Sequence, residues 1–344
     1  MVGPKTQQNM IAILRVLRNA PGPMGAERVS AELRYSGTRL SERAVRNYLA
    51  QADAQGWTQN LGRRGRRLTP EGRQEVARAQ VMDKVGFVAA RVDELTYQMD
   101  FDLESRQGTV ILNVSTMALE DADAALGALL AVYDAGLGMG RLVLLGRPGD
   151  TVGAFQVPPG RLVIGTLCSV SINGIFLRAK VATRSRFGGL LEIEDGHPKR
   201  FTQLIRYDGT SLDPLEIFIR GHMTSVAQAA RTGAGLIGAS FREVPTVSLA
   251  EVRRLAALSD KLGLGGIMAI GQPNQPLLDI PVAQGCVGLV VSGGLNPVAA
   301  ITEVGIGTTS AAMHSLCDFN RLLEYETLRN LDPRRQPGTP AYRP

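Results

Sequence analysis

The sequence predicts an α+β chain: an N-terminal winged helix-turn-helix followed by an internally duplicated α/β domain. Three observations predict it. Positive charge is concentrated in the first 80 residues, the local signals there run helix, helix, helix, hairpin, helix, and the remainder resembles itself at a nearly constant spacing. Residues 1–80 hold 14 Lys and Arg against 6 Asp and Glu, a balance of +8, whereas the other 264 residues hold 24 against 26, a balance of −2. Segregated charge of this kind is the electrostatic footprint of a nucleic-acid-binding module joined to a near-neutral domain with another task.

Met10, Ile13, Leu14 and Leu17 follow the i, i+3, i+4, i+7 spacing of one buried helix face, and Pro21-Gly22-Pro23 stops that helix. A second helix from about Gly25 to Leu33 turns Val29 and Leu33 inward. After a turn through Ser36-Gly37-Thr38, Ser41 caps a third helix whose Val45, Tyr48, Leu49 and Ala52 form the apolar stripe. Its opposite face carries Glu42, Arg43, Arg46 and Asn47, where arginine pairs bidentately with guanine and asparagine with adenine in a major groove. Taken alone, these residues equally suit a plain solvated face. Trp57–Leu61 and Arg66–Thr69 then read as short strands around Gly62-Arg63-Arg64-Gly65. Arg63, Arg64, Arg66 and Arg67 at this tip are expected to clamp phosphates or the minor groove. Thr69 caps a closing helix, with Pro70 at its first position. The module resembles the winged helix at the front of ribonuclease R, so contact with RNA or protein stays open beside DNA binding.

Residues 81–84 are expected as a junction, and 85–330 as the second domain. In it, Asp134–Pro148 is echoed by Asp260–Pro273, and Ser169, Ile172, Asn173 and Val181 by Ser292, Leu295, Asn296 and Val304. The offsets narrow from 126 to 123, which predicts a tandem duplication with repeats at about 108–195 and 234–315. Each repeat is read as strand (near Val110–Val114; Leu236–Ser240), helix (Leu119–Ala135; Leu249–Leu262), a strand ending in Gly-x-Pro, and a sheet pair around the Asn turn. Two such units offer a cleft for a small ligand, although a duplication that only builds a core fits the pattern as well. Asn173-Gly174 is expected as a hairpin turn. Leu331–Pro344 is read as a tail.

Several motifs fail. Gly233-x-Gly235-x-x-Gly238 has a helix before it and a strand after it, the reverse of a dinucleotide fingerprint, so the glycines read as a helix cap and turn. No Walker lysine, HExxH, CxxC or G-x-S-x-G motif occurs, and His197, His222 and His314 stand apart. No catalytic residue and no metal site are expected. No apolar run approaches the roughly 18 residues a membrane span needs, Met1–Gln8 is polar, and Cys168, Cys286 and Cys317 are odd in number and dispersed. The expectation is a cytoplasmic chain with reduced thiols and no membrane partner. Arg186 or Arg242 is placed to pair with a ligand carboxylate, or to sit in a surface ion pair.

The segments IGTLCSVSING (Ile164–Gly174), RFGGLLEI (Arg186–Ile193), SLDPLEIFI (Ser211–Ile219) and GGLNP (Gly293–Pro297), behind a winged helix, resemble the nitrogen-regulatory repressor family NrpR over about residues 8–325. The resemblance implies a repressor of nitrogen-assimilation genes that binds palindromic double-stranded operators, with DNA binding weakened by the effector 2-oxoglutarate. It implies one effector domain here and, for a two-fold operator, a homodimer. It does not name the ligand contacts. Thr166, Cys168, Ser169, Asn173 and Arg186 are the expected effector-binding residues, because they fall inside the matching segments and offer donors to a dicarboxylate. A different small effector, or a metabolite enzyme fused to a DNA-binding head, remains an alternative.

Overall fold

A computed structural model describes residues 4–20, 22–35, 38, 40–83, 87–152 and 155–334. Pro21, Ser36, Gly37, Lys84 and the tail beyond Arg334 lie outside the described residues. The chain divides into two compact units, Met1–Val85 and Gly86–Pro344.

The first unit contains α1 (Pro4–Asn19), α2 (Ala26–Tyr35), α3 (Glu42–Ala54), β1 (Thr58–Asn60), β2 (Arg66–Leu68) and α4 (Pro70–Asp83). The apolar stripes meet as expected: Met10, Ile13, Leu14 and Leu17 pack with Val29, Leu33, Val45, Leu49 and Ala52, and Leu68 and Val76 close the cluster. Each fully buried Leu or Val contributes about 1.5–3 kcal/mol relative to exposure. Ser41 Oγ accepts from the Ala44 amide at 3.2 Å and Thr69 Oγ1 from the Gly72 amide at 3.0 Å, which satisfies orphan donors at the starts of α3 and α4. β1 and β2 pair antiparallel around a 3-10 turn at Gly62–Arg64. Met24 adds a rung, bonding Arg66 in both directions at 3.0 and 2.9 Å. Glycine is required at Gly65 because a Cβ there would lie 2.3 Å from the Met24 backbone. Residues 81–83, expected in the junction, continue α4.

The second unit runs α5 (Phe87–Gln98), β3 (Thr109–Ala118), α6 (Ala122–Asp134), β4 (Leu142–Gly146), the two-residue arms β5 (Thr151–Val152) and β6 (Phe155–Gln156), β7 (Arg161–Leu167), α7 (Ser171–Arg178), β8 (Arg184–Glu194) and β9 (His197–Arg206). It continues with α8 (Pro214–Arg220), α9 (Val226–Thr232), β10 (Gly235–Pro245), α10 (Leu249–Lys261), β11 (Ile267–Ile270), β12 (Cys286–Ser292), α11 (Asn296–Glu303), β13 (Thr309–Asp318) and β14 (Leu323–Glu324). Thus β3-α6-β4-β7-α7-β8 and β10-α10-β11-β12-α11-β13 repeat one order of elements.

The repeats interlock instead of lying side by side. Two five-stranded antiparallel sheets have the orders β13-β3-β7-β4-β14 and β11-β12-β10-β8-β9. The last strand of each repeat therefore completes the other repeat's sheet: β8 pairs with β10, and β13 with β3. The matching glycine loops also meet. Gly140 has φ +64°, and a Cβ on it would stand 2.2 Å from the carbonyl oxygen of Gly263, whose φ is +75°. Gly233 caps α9 in the left-handed region just before β10, as the order of elements around the glycines predicts.

Two expectations are corrected. Asn173-Gly174 is not a hairpin turn but lies inside α7. Ile172, Ile175 and Phe176 are all buried at helical spacing, and Gly174 admits Met99, whose Sδ would be 2.4 Å from a Cβ. The late part of the echo is also two residues out of register. Ser171, not Asn173, takes the place of Asn296: Ser171 Oγ bonds the Ile111 amide and carbonyl at 3.1 and 3.2 Å, and Asn296 bonds those of Gly238 at 2.8 and 3.0 Å. At the C-terminus, Leu331 packs on a core cluster and Arg334 pairs with Asp123 at 2.8 Å, so the expected tail is anchored at its start.

Candidate functional site

On α3, Val45, Leu49 and Ala52 are buried, which turns Arg43, Arg46 and Asn47 to solvent on one face. Arg46 Nη2 reaches back to Glu42 Oε1 at 2.5 Å, holding the side chain along the helix. Arg63 and Arg64 are exposed in the wing turn, and Arg67 lies along the hairpin with its Nε bonded to Gln59 at 3.0 Å. Arg66 departs from the clamp expectation. Its side chain is 19% exposed and its Nε is fixed to Asp53 Oδ2 at 2.8 Å, while Asp53 Oδ1 accepts from Thr58 at 2.6 Å. Alternation along β2 turns Arg66 inward, so it braces the wing to the end of α3 instead of sitting at the tip.

In the second unit, Thr166 is buried at the penultimate position of β7, and Cys168 and Ser169 occupy the loop into α7, where Asn173 follows. Of these, Cys168 and Ser169 line one cavity with Asn113, and Thr166 and Asn173 lie outside its lining. Asn113 Nδ2 lies 3.4 Å from Thr166 Oγ1, and Asn173 Nδ2 donates to Ser185 Oγ at 2.9 Å. Arg186 does not join them: it is 34% exposed and paired with the buried Glu243. The arginine that reaches the cluster is Arg242, from β10 of the other repeat. It is 1% exposed. Its Nη2 donates to the Ser169 carbonyl (2.9 Å) and Oγ (3.1 Å), and its Nη1 to Ser240 Oγ (3.0 Å). Arg242 Nε and Asn173 Oδ1 are both buried and have no hydrogen-bond partner among the described residues. No carboxylate faces this guanidinium at ion-pair distance among the described residues, and burial lowers its pKa. A desolvated cation without a counter-ion is costly and favours an incoming anion.

In front of Ser169 lies a cavity of about 20 Å³ lined by Asn113, Cys168, Tyr207, Asp213, Gly294 and Met313, room for one water molecule and not for a dicarboxylic acid. Glycine is needed at Gly294, where a Cβ would be 2.1 Å from the Leu167 carbonyl oxygen. The loops before α7 and α11 thus meet across the cavity, each presenting the positive end of its helix dipole. Burial pushes the Cys168 thiol up to about 12, so it is no nucleophile. Burial, with the nearby Glu216 carboxylate, raises Asp213 to about 6. Tyr207, Asp213 and Asn113 were not expected here; an Arg-Glu pair inside the apolar run of β10 was the sequence signal for Arg242.

Residues 85–324 match the family model described as NrpR regulatory domains NRD1 and 2. The chain belongs to the NrpR family. Ahead of the NrpR regulatory region, residues 11–76 match the ribonuclease R winged-helix domain. The global nitrogen regulator NrpRI of Methanosarcina mazei is 32% identical over 94% of this chain and 100% of its own length. The global nitrogen regulator NrpR of Methanococcus maripaludis is 28% identical over 95% of this chain and 57% of its own length, so this chain spans little more than half of that relative. The crystal structure of a nitrogen repressor-like protein from Methanococcus jannaschii is similar with a TM-score of 0.58 at 30% identity, covering 69% of this chain and 97% of that one. Among the described residues no helix is long and apolar enough to cross a membrane.

Proposed function

We propose that this NrpR-family chain is a transcriptional repressor of nitrogen-assimilation genes, that it binds a palindromic DNA operator as a homodimer, and that 2-oxoglutarate weakens this binding. The winged helix supplies a recognition face (Arg43, Arg46, Asn47) and a basic wing (Arg63, Arg64, Arg67). The observation that carries the effector reading is Arg242, a buried guanidinium with no carboxylate partner among the described residues, beside a cavity between two helix N-termini. One ligand carboxylate takes the guanidinium, with Ser169 as a further hydrogen-bonding group, and the cavity opens beyond its 20 Å³ to admit the rest of the diacid. The site is a receptor, with Cys168 held protonated.

Thermal unfolding with and without millimolar 2-oxoglutarate, with succinate and glutamate as controls, tests the reading. A ligand at ~100 times its dissociation constant adds about 2.7 kcal/mol, a shift of several degrees. A shift selective for 2-oxoglutarate supports it; no shift, or equal shifts with all three acids, overturns the effector assignment.

A further inference from the structure

We propose that a second copy of this chain joins at the outer edge of β11, strand against strand, over the groove between β11 and α10. The inference rests on the homodimer of the reading above and names the face that forms it.

The two repeats differ at this edge. In the first, residues 322–331 close the space beside β4 and α6: β14 pairs with β4, Tyr325 stacks on Tyr133 of α6 with ring centroids 4.9 Å apart, and Leu328 is buried in the same cluster. In the second, no strand pairs with the outer edge of β11 among the described residues. Helices α6 and α10 are both 13 residues long. Counted from their first residues, Ala256 and Asp260 take the turns that Leu129 and Tyr133 hold in the first repeat. Where the first repeat has bulky apolar groups and a covering segment, the second therefore keeps an open groove of about 180 Å³, lined by Ala256, Ser259, Asp260, Ile172 and the whole of β11.

The other sheet edges are guarded. β9 carries Pro198, Lys199, Arg200 and Arg206 and has two register shifts against β8, all of which hinder edge pairing. β14 has two residues, and Arg91 of α5 reaches the carbonyls of Met313 and His314 on β13. By contrast β11 reads Ile267-Met268-Ala269-Ile270, without charge or proline, and all four residues are half-buried. Antiparallel pairing about a two-fold axis sets Ile267 opposite Ile270 and Met268 opposite Ala269. Ile267 and Ile270 pack on the side of the sheet that holds Val252 and Leu255 of α10, and Met268 and Ala269 on the other. This register thus keeps like faces together and lays each copy's isoleucines over the other's groove.

Charge favours a second copy over an unrelated strand. Along the groove α10 shows Arg253, Ala257 and Asp260 to solvent. A two-fold axis runs the two α10 helices antiparallel, which brings Arg253 of each copy toward Asp260 of the other, with the small Ala257 between them. Among the described residues Arg253 makes no ion pair within its own chain, and Asp260 has only Arg141, at 4.0 Å.

The test is sedimentation equilibrium of the full chain. Asp260→Arg sets like charges against each other at both ends of the interface and is expected to raise the dimer dissociation constant about tenfold or more. Combining Arg253→Asp with Asp260→Arg restores opposite charges and is expected to return the constant to within about threefold of wild type. Hydrogen exchange of the wild type above and below that constant covers the case in which a variant fails to fold, with β11 amides expected to exchange more slowly in the dimer. A dimer untouched by Asp260→Arg, a double variant no better than the single one, or β11 amides that exchange alike in both states overturns this face and leaves the homodimer reading intact. A wild type that stays monomeric up to its solubility limit overturns both.

Discussion

Arg242 of the second repeat donates through one nitrogen to both the carbonyl and the hydroxyl oxygen of Ser169 in the first, at 2.9 and 3.1 Å. This contact ties the two repeats at the point where the loops into α7 and α11 face each other. It is also the only place among the described residues where a fully buried arginine lacks an acidic partner, which gives it two separable consequences, one for stability and one for binding.

Replacing Arg242 with Met keeps most of the volume and removes the desolvated charge, but leaves Ser169 and Ser240 short of a donor. The net cost is expected not to exceed about 2 kcal/mol. The stabilisation conferred by 2-oxoglutarate is expected to vanish. Urea unfolding with and without ligand reads both quantities, and persistence of the ligand shift would move the anion site elsewhere.

The wing separates residues that look alike in sequence. Arg63→Ala with Arg64→Ala is expected to weaken binding to every duplex and to reduce the salt slope by about 0.9 for each phosphate no longer neutralised. Arg46→Ala or Asn47→Ala is expected chiefly to relax specificity, by about 1–3 kcal/mol at the base pair read. Arg66→Ala frees Asp53 and is expected to cost about 1–3 kcal/mol of stability in the first unit with little change in the salt slope. A reduced slope with unchanged stability would return Arg66 to the phosphate clamp.

The helices α1 to α3 were legible because each carries one apolar stripe and Ser41 a local cap, both properties of short windows. The duplication was legible from the Asp134 and Asp260 segments because close loop packing demands glycine in both. The exchange of β8 and β13 was not, since a strand's partner across tens of residues leaves no mark on its own alternation. Asn173-Gly174 misled because the dipeptide is a strong turn signal, yet Ile172, Ile175 and Phe176 set a helical period and tertiary burial prevailed. Arg186 and Arg242 both lie on strands that also carry glutamate, and only burial by the partner repeat distinguishes them.

Gly140 and Gly127 predict opposite signs for the same substitution. Gly140→Ala forces a Cβ to within 2.2 Å of the Gly263 carbonyl oxygen at φ +64°, and a loss of more than about 2 kcal/mol is expected. Gly127 lies on the exposed side of α6, and nothing stands within 4 Å of the point a Cβ would occupy, so Gly127→Ala is expected to gain about 0.5–1 kcal/mol. Denaturant midpoints of the two variants check the pair, and a tolerated Gly140→Ala would show that the facing loops separate at little cost.

Asp213 makes the stability of the second unit depend on pH. Its side chain is half-buried, and Oδ1 accepts from the Leu215 and Glu216 amides at 2.9 and 3.3 Å as the cap of α8. Burial and the neighbouring Glu216 carboxylate raise its pKa from 3.8 to about 6. The folded state therefore binds this proton more tightly than the unfolded chain, so the favourable contribution is fully present below 3.8 and is lost as pH rises through about 6. Asp213→Asn keeps the capping oxygen and removes the titration. The variant is expected to gain stability relative to wild type as pH rises from about 4 to about 6, with a constant advantage above about 7, and to bind a diacid more tightly at neutral pH because a facing negative charge is gone. Urea midpoints of both proteins at about pH 4.5 and about pH 7.5 decide it: an equal difference at the two values would mean that the carboxyl ionises in the folded chain as it does in water.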